Sequence, residues 1–290
     1  MKWQGERESD NVSDVRGSGG GGGGFGGGRS IGIGSVVVAL VAGWIFGVNP
    51  LTVLGLLDGG SQGSAPAKTQ GHAPAADDTS ARFVAAILAS TEDVWTESFK
   101  TAGMSYRAPR LNIFRGSYPT ACGRGEAAMG PFYCPGDEQV YIDLSFYETM
   151  RKRLGAPGDF AQAYVVAHEV GHHVQHLLGI SDKVDAMRGR ASQAQQNALS
   201  VRLELQADCF AGIWAQHSQQ AKGWLEQGDI EEGLNAASQI GDDALQRQST
   251  GTVRPESFTH GTSAQRVAWF KRGLASGKMV DCNTFDNRQL

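Results

Sequence analysis

The segment from Val165 to Gln175 contains the pattern His-Glu-x-x-His, formed by His168, Glu169 and His172. Residues four apart lie on one face of an α-helix, so the two imidazole rings can reach the same metal ion, with the Glu169 carboxylate beside them. This spacing predicts a zinc site that activates water for hydrolysis. Glu169 is its predicted general base, and a His-rich helix surface is the alternative.

A catalytic zinc site needs a third protein ligand and one open position. His176 lies about 12 Å along the helix axis from His168, too far to share one ion. Glu204 and Asp208 are four apart in an otherwise apolar run of the next predicted helix. Buried carboxylates are costly unless they are paired or bind metal. Glu204 is therefore the predicted third ligand, and Asp208 the predicted acceptor for the second N–H of a ligand histidine. The alternative is a carboxylate pair on the helix surface.

The elements around these residues predict a helix-dominant α+β domain. Residues 81–102 carry apolar side chains at helical spacing, with Ser80 as a plausible N-cap. Further helices are predicted for 160–178, 183–217, 230–248 and 263–274, and strands for 111–114 and 140–146. The second strand is a candidate edge for an extended peptide, with an interior strand as the alternative.

The four cysteines all follow residue 120. An even number outside the cytoplasm suggests two disulfides, and four cysteines allow three pairings. Cys122 and Cys134 flank a Gly-rich loop, so the preferred pairing is Cys122 with Cys134 and Cys209 with Cys282. Free thiols are the alternative.

The N-terminal quarter differs in composition from the rest of the chain. Residues 1–29 end in glycine runs, and residues 30–57 carry no charge. The first segment predicts a disordered cytoplasmic tail and the second a transmembrane helix, with a cleaved signal peptide as the alternative. Residues 58–78 resemble a Gly/Ala/Pro linker, which leaves 79–290 for the zinc-binding domain. Arg29 before the span and Asp58 after it favour an extracytoplasmic position for that domain.

The overall composition limits the classes of partner. The chain has 290 residues with 26 Lys and Arg against 30 Asp and Glu, a formal net charge of −4. This balance gives no electrostatic reason to expect nucleic acid as a partner. The mean hydropathy of −0.29 excludes a protein with many membrane spans.

The sequence resembles the bacterial family of neutral zinc metallopeptidases. The resemblance extends from the N-terminal segment Met1 to Val12 through the glycine tract, the uncharged stretch and the His168 to His172 motif. It continues through Glu204 to Asp208 and ends with Thr259-His260-Gly261-Thr262 followed by Gln265-Arg266. The resemblance implies a single-pass membrane protein with a gluzincin-like, zincin-type zinc peptidase domain. Together with the charges that flank the span, it predicts a protein of the bacterial inner membrane with this domain on the periplasmic side. It also implies His168, His172 and Glu204 as zinc ligands and Glu169 as the catalytic carboxylate.

The expected function is a membrane-anchored zinc peptidase that cleaves a peptide or protein substrate with zinc-activated water. One alternative is a membrane-tethered zinc-binding scaffold without proteolytic activity, and another is a zinc hydrolase for a non-peptide amide. His260 could donate a hydrogen bond to the tetrahedral oxyanion, although an exposed loop histidine is an equal interpretation. The sequence does not indicate the oligomeric state.

Overall fold

A computed structural model of the chain describes residues 1–17 and 71–286. Strands form a four-stranded sheet in the order β1-β2-β6-β5 and a separate β3-β4 hairpin. The first three sheet strands run parallel, and β5 pairs antiparallel with β6 at the sheet edge. The strands are β1 (Val12–Asp14), β2 (Arg110–Phe114), β3 (Ser117–Thr120), β4 (Gly123–Glu126), β5 (Phe132–Cys134) and β6 (Gln139–Asp143).

The helices make up most of the described fold, which confirms the helix-dominant α+β prediction. Helix α3 packs against α1, α5, β5 and β6, and α8 packs along α5. The helices are α1 (Thr79–Thr101), α2 (Ser145–Arg153), α3 (Asp159–Leu177), α4 (Ile180–Arg188), α5 (Gln193–Lys222), α6 (Asp229–Gln239), α7 (Asp242–Thr250) and α8 (Ser263–Ser276).

Glycines allow the helices that carry the candidate site to approach each other closely. A Cβ atom at Gly171 of α3 would lie 3.0 Å from the Ala207 carbonyl oxygen of α5. A Cβ at Gly212 of α5 would lie 2.1 Å from the Phe270 carbonyl oxygen of α8, so only glycine fits there. Gly171 therefore allows α3 and α5 to pack closely together.

Sequence periodicity located the predicted helices but missed two breaks. The predicted helix 183–217 is two helices, α4 and α5, and the predicted helix 230–248 is divided into α6 and α7. Gly241 lies at the second break, where a Cβ would be 2.3 Å from the Ser263 amide nitrogen.

Helix α1 begins after Asp78, whose carboxylate accepts a hydrogen bond from the Ala81 amide at 2.9 Å. Asp78 is thus the N-cap in place of Ser80.

The predicted strand 140–146 differs from the observed strand in extent and in its place in the sheet. The predicted strand 140–146 ends at Asp143, and Ser145 begins α2. This strand, β6, lies between β2 and β5. The candidate peptide-binding edge at 140–146 is therefore wrong, because both sides of β6 are already paired.

The N-terminal residues correct the predicted domain boundaries. Residues 1–17 were expected to be part of a disordered tail, yet they pack against the domain and form β1, which pairs with β2. Trp3, Val12 and Val15 are buried. The disorder prediction is wrong for these residues because their apolar side chains have partners far away in sequence, which local composition does not reveal. His72 likewise pairs with Asp14, so the folded part resumes before residue 79.

The predicted transmembrane helix at 30–57 lies outside the described residues, as do residues 18–29 of the predicted tail and 58–70 of the predicted linker. Within 1–17 and 71–286, none of the helices is long and apolar enough to cross a membrane.

Both disulfides have the preferred pairing. Cys122 is bonded to Cys134, and Cys209 to Cys282. The first bond joins the β3-β4 hairpin to β5. The second attaches the C-terminal segment to α5, one residue after Asp208.

Candidate metal centre

Helix α3 presents the His-Glu-x-x-His motif at the centre of the fold. It begins after Gly158, with Asp159 in its first turn, and is followed by Gly179 in the left-handed conformation, φ 66°. Such a glycine commonly ends a helix. His168 and His172 lie one turn apart, with ring centroids separated by 4.8 Å and ring planes perpendicular.

Helix α5 brings Glu204 to these two rings. One ligand atom from each of His168, His172 and Glu204 lies within 4.8 Å of the others. The Glu204 oxygens are 3.1 Å from His168 Nε2 and 3.5 Å from His172 Nε2. A tetrahedral zinc ion with bonds of about 2.0–2.1 Å separates neighbouring ligand atoms by about 3.3 Å. The donor set of two imidazoles and one carboxylate therefore fits zinc.

Asp208 lies one turn along α5 from Glu204 and is fully buried. Its Oδ1 accepts a hydrogen bond from His168 Nδ1–H at 2.8 Å, which leaves His168 Nε2 free for a metal. Arg266 of α8 binds the same carboxylate, with Nε 2.9 Å from Oδ2. The Tyr164 hydroxyl also donates to Asp208. Asp208 thus occupies the acceptor position that the sequence suggested.

His172 is oriented by Gln175, whose role the motif spacing does not indicate. Its Nδ1–H donates to Gln175 Oε1 at 2.9 Å, which leaves Nε2 for the metal. The Gln175 amide is itself fixed, because its Nε2 donates to the Leu203 carbonyl at 2.7 Å. Gln175 is buried three residues after His172. The sequence signal for this role is a polar side chain three residues after His172 on the same helix.

Without a metal ion, the imidazole rings and the carboxylates of the site stabilise each other's charged forms. Burial opposes the charged form of His168, but Asp208 and Glu204 outweigh it and raise the pKa of His168 to about 10. The pKa of His172 is also raised, because the attraction of Glu204 exceeds the cost of burial. Burial alone would raise the pKa of Glu204, yet His172 and His260 hold it well below its ordinary value. A positive charge at this position is therefore strongly favoured.

Glu169 is buried beside the two histidines. Burial raises the pKa of Glu169 above its ordinary value, although the charges of His168 and His172 act in the opposite direction. The backbone N–H of Tyr133 in β5 donates a hydrogen bond to this carboxylate. A carboxylate with a raised pKa is suited to accept and return a proton near neutral pH.

His173, the next residue after His172, has a different environment. Its Nε2–H donates to the Arg107 carbonyl at 2.6 Å, and its Nδ1 accepts from the Tyr133 hydroxyl at 3.1 Å. Burial lowers the pKa of His173 to about 4. His173 is therefore neutral at pH 7, and it connects α3 to the edge strand β5.

A cavity of about 600 Å³ opens over the three candidate ligands and Glu169. Strand β5 contributes one wall, and its outer side is not paired within the described sheet. The cavity combines mostly apolar walls with a few polar groups. Among its lining residues are Met129, Pro131, Phe132, Phe146, Leu203 and Leu245.

His260 lines the same cavity and is held by Asp242. The buried Asp242 carboxylate accepts hydrogen bonds from the backbone N–H groups of Thr259, His260 and Gly261. It also lies 3.3 Å from His260 Nδ1. Partial burial opposes the charged form of His260, but Glu204 and Asp242 outweigh it and raise its pKa. The His260 side chain remains 41% exposed and can reach a ligand.

The His-Glu-x-x-His helix, the Glu204 carboxylate from the neighbouring helix and the antiparallel edge strand beside them together form a candidate metal centre that opens into a cavity. The profile of the family described as "Putative neutral zinc metallopeptidase" matches residues 1–285. The chain belongs to this family, in agreement with the resemblance seen in the sequence.

Similar proteins occur in distant bacteria. The chain is 54% identical over 290 residues to "Uncharacterized protein YpfJ" of Escherichia coli K12, covering 98% of this chain and 99% of that protein. It is 38% identical over 258 residues to "Uncharacterized protein Rv2575" of Mycobacterium tuberculosis, covering 82% of this chain and 86% of that protein. No solved structure matches the chain.

Proposed function

We propose that this protein is a membrane-anchored zinc metallopeptidase that hydrolyses peptide bonds in a peptide or protein substrate. The observation that carries the proposal is the convergence of His168, His172 and Glu204 donor atoms within 4.8 Å, beneath a cavity that Glu169 also lines. A structural zinc site usually closes with a fourth protein ligand. Here the cavity adjoins the three donors, and a carboxylate suited to proton transfer lies beside them.

His168, His172 and Glu204 would hold the zinc ion. When bound, zinc supplies Lewis acidity that polarises a carbonyl and lowers the pKa of water to about 7. Glu169 then accepts the proton of the attacking water and transfers it to the leaving amine. The buried position of Glu169 keeps that proton away from bulk solvent.

The edge strand β5 offers a binding site for the substrate backbone. An extended peptide can add to its unpaired side by main-chain hydrogen bonds, while apolar side chains enter the cavity. The Cys122–Cys134 disulfide and the Tyr133–His173 hydrogen bond both support the position of β5. Phe132 and Met129 line the cavity next to it. These walls favour substrates with large apolar side chains near the scissile bond.

His260 supplies a donor for the oxyanion that forms in the transition state. Its protonated ring can donate from Nε2 while Asp242 binds Nδ1–H. Donors aimed at developing negative charge typically contribute about 10²–10³ in rate. Asp242 is a positioning residue in this arrangement because it holds the backbone on both sides of His260.

The location of the domain is part of the proposal. Two disulfides support an extracytoplasmic position, because such bonds persist mainly in oxidising compartments. The uncharged stretch at 30–57 supports attachment to the bacterial inner membrane.

The test uses the full chain, purified from membranes in detergent. Zinc content and hydrolysis of an unfolded protein such as casein are measured for the parent, Glu169→Gln and Glu204→Ala. We expect Glu169→Gln to retain zinc and lose hydrolysis, and Glu204→Ala to lose both. Glu148→Gln, which changes an exposed carboxylate on α2, is the matched control.

Unchanged hydrolysis in Glu169→Gln would contradict the assigned mechanism. Full zinc occupancy in Glu204→Ala would remove Glu204 from the ligand set. A parent protein that holds zinc but cleaves neither unfolded proteins nor peptides would favour the tethered scaffold.

A further inference from the structure

Residues 1–17 are part of the core of the domain that carries the metal centre. Trp3 is 7% exposed and packs edge-on against Phe83 of α1, with ring centroids 5.3 Å apart. Val12 and Val15 are 6% and 3% exposed. Such burial of a short segment indicates a permanent part of the fold, because an adhering tail would leave these side chains accessible.

Polar contacts fix the same segment to α1. The carboxylate of Glu92, which is 9% exposed, binds Arg7 Nη1 at 3.0 Å and Asn11 Nδ2 at 2.8 Å, and it also accepts from the Ser9 hydroxyl. Arg7 Nη2 also donates to the Ala89 carbonyl at 2.8 Å. A carboxylate so poorly exposed needs such partners, and residues 7–11 supply them.

The described residues that precede and follow segment 18–70 meet at one place in the fold. Asp14 N–H donates to the His72 carbonyl at 2.8 Å, and His72 N–H donates to the Asp14 carbonyl at 3.1 Å. Two residues further on, Arg16 binds Asp78 at the start of α1, with Nη2 2.7 Å from Oδ2. The described residues on the two sides of segment 18–70 are therefore hydrogen-bonded neighbours.

We propose that residues 1–17 and the metal centre lie on the same side of the membrane, so that the uncharged stretch at 30–57 does not separate them. A single crossing would place Asp14 and His72 on opposite sides of about 30 Å of hydrocarbon. A return crossing by a second helix would need about 20 further apolar residues. Residues 18–29 and 58–70, rich in glycine and polar residues, do not provide them.

The disulfides indicate which side this is. Cys122–Cys134 and Cys209–Cys282 belong to the same folded unit as residues 1–17. Because disulfides persist in oxidising compartments, the N-terminal segment is extracytoplasmic together with the domain. This replaces the cytoplasmic position that the charges flanking the stretch suggested. The proposal does not depend on peptidase activity.

The test is cysteine labelling of the full chain in intact bacteria, with a maleimide that does not cross the cytoplasmic membrane. The four native cysteines are disulfide-bonded, so the reagent reports the introduced thiol. Gln4→Cys and Asp10→Cys report on exposed positions of the N-terminal segment, and Ala194→Cys reports on the exposed start of α5. Labelling is compared before and after permeabilisation.

We expect all three variants to be labelled equally well before and after permeabilisation. Labelling of Gln4→Cys and Asp10→Cys only after permeabilisation, with Ala194→Cys labelled in intact cells, would overturn the proposal. Protection of all three thiols in intact cells would support the shared side and overturn the extracytoplasmic assignment.

A second measurement tests the pairing directly. The Asp14→Cys/His72→Cys variant joins two backbone-paired residues, whose Cα atoms lie about 5.5 Å apart in such a pair, within the range for a disulfide. A protease site placed in residues 58–70 then separates the N-terminal fragment, which contains no native cysteine. We expect this fragment to stay attached on a non-reducing gel, and to be released in Asp14→Cys alone. Release from the double variant, together with opposite labelling of Gln4→Cys and Ala194→Cys, would refute the docked arrangement.

Discussion

His172 and His173 are neighbours in sequence but lie on different faces of α3 and have opposite electrostatic environments. His172 faces the Glu204 carboxylate, which raises its pKa, whereas His173 contacts a carbonyl and a hydroxyl and has its pKa lowered to about 4. Both rings are largely removed from solvent. The difference shows that the available partners determine the role of each ring: carboxylates favour a cation, and neutral dipoles hold a neutral imidazole.

The largest expected effect is a loss of zinc affinity when the His172 face of α3 is changed but not when the His173 face is changed. His172→Gln removes a ligand and should weaken zinc affinity by on the order of 10³-fold, about a third of the free energy typical of protein zinc sites. His173→Gln, the neighbouring control, should retain zinc in the folded fraction. Zinc titration against a competing chelator measures both affinities. Equal loss in the two variants would contradict the division between the faces.

The second effect concerns stability at acidic pH. His173 has a folded-state pKa of about 4 against an ordinary value of 6.5, so the unfolded chain binds more protons between these values. Its contribution to stability is therefore present above pH 6.5 and is lost as the pH falls toward 4. The loss is at most about 3 to 4 kcal/mol, since one pKa unit corresponds to about 1.4 kcal/mol.

Urea unfolding of the zinc-free protein at several pH values measures this contribution. His168 titrates in the folded protein near pH 10, so its own contribution changes above pH 6.5 and lies outside the window. His173→Gln should flatten the pH dependence between 4 and 6.5. An unchanged slope in this variant would mean that other groups cause the acid sensitivity.

The sequence was sufficient for features that depend on local spacing. The helix periodicity located α3, and the four-residue spacings brought His168 to His172 and Glu204 to Asp208. The disulfide pairing followed from the positions of the cysteines. Each of these predictions needed only helix geometry or separation along the chain.

Features that depend on distant partners could not be predicted in the same way. β1 is three residues long, and its pairing with β2 joins segments almost one hundred residues apart. The role of Arg266 depends on the close approach of α8 to α5, which Gly212 permits. The edge position of β5 depends on sheet order, which the strand pattern does not specify. Tertiary contacts, which periodicity does not encode, decide all three features.

A smaller effect is expected at the carboxylate that orients His168. Asp208→Asn keeps an oxygen for His168 Nδ1–H but removes the charge that polarises the ring and pairs with Arg266. Replacement of such supporting groups typically weakens metal affinity by about 10–100-fold. Zinc titration of the folded fraction provides the measurement, with the exposed Asp182→Asn on α4 as control. Affinity equal to that of the control would indicate that the Asp208 charge does not act on the metal site.

The smallest effect is expected on the His173 face, at Tyr133. Tyr133→Phe removes the hydroxyl that donates to His173 Nδ1 at 3.1 Å but keeps the backbone N–H that reaches Glu169. A buried hydrogen bond contributes about 1 kcal/mol, so the free energy of unfolding should fall by about that amount. Zinc affinity should not change, because both candidate ligand rings keep their partners. Urea unfolding of the parent, Tyr133→Phe, His173→Gln and the double variant measures the coupling. An equal loss from Tyr133→Phe with and without His173 would show that the hydroxyl acts independently of that ring, and that β5 is held to α3 by other contacts.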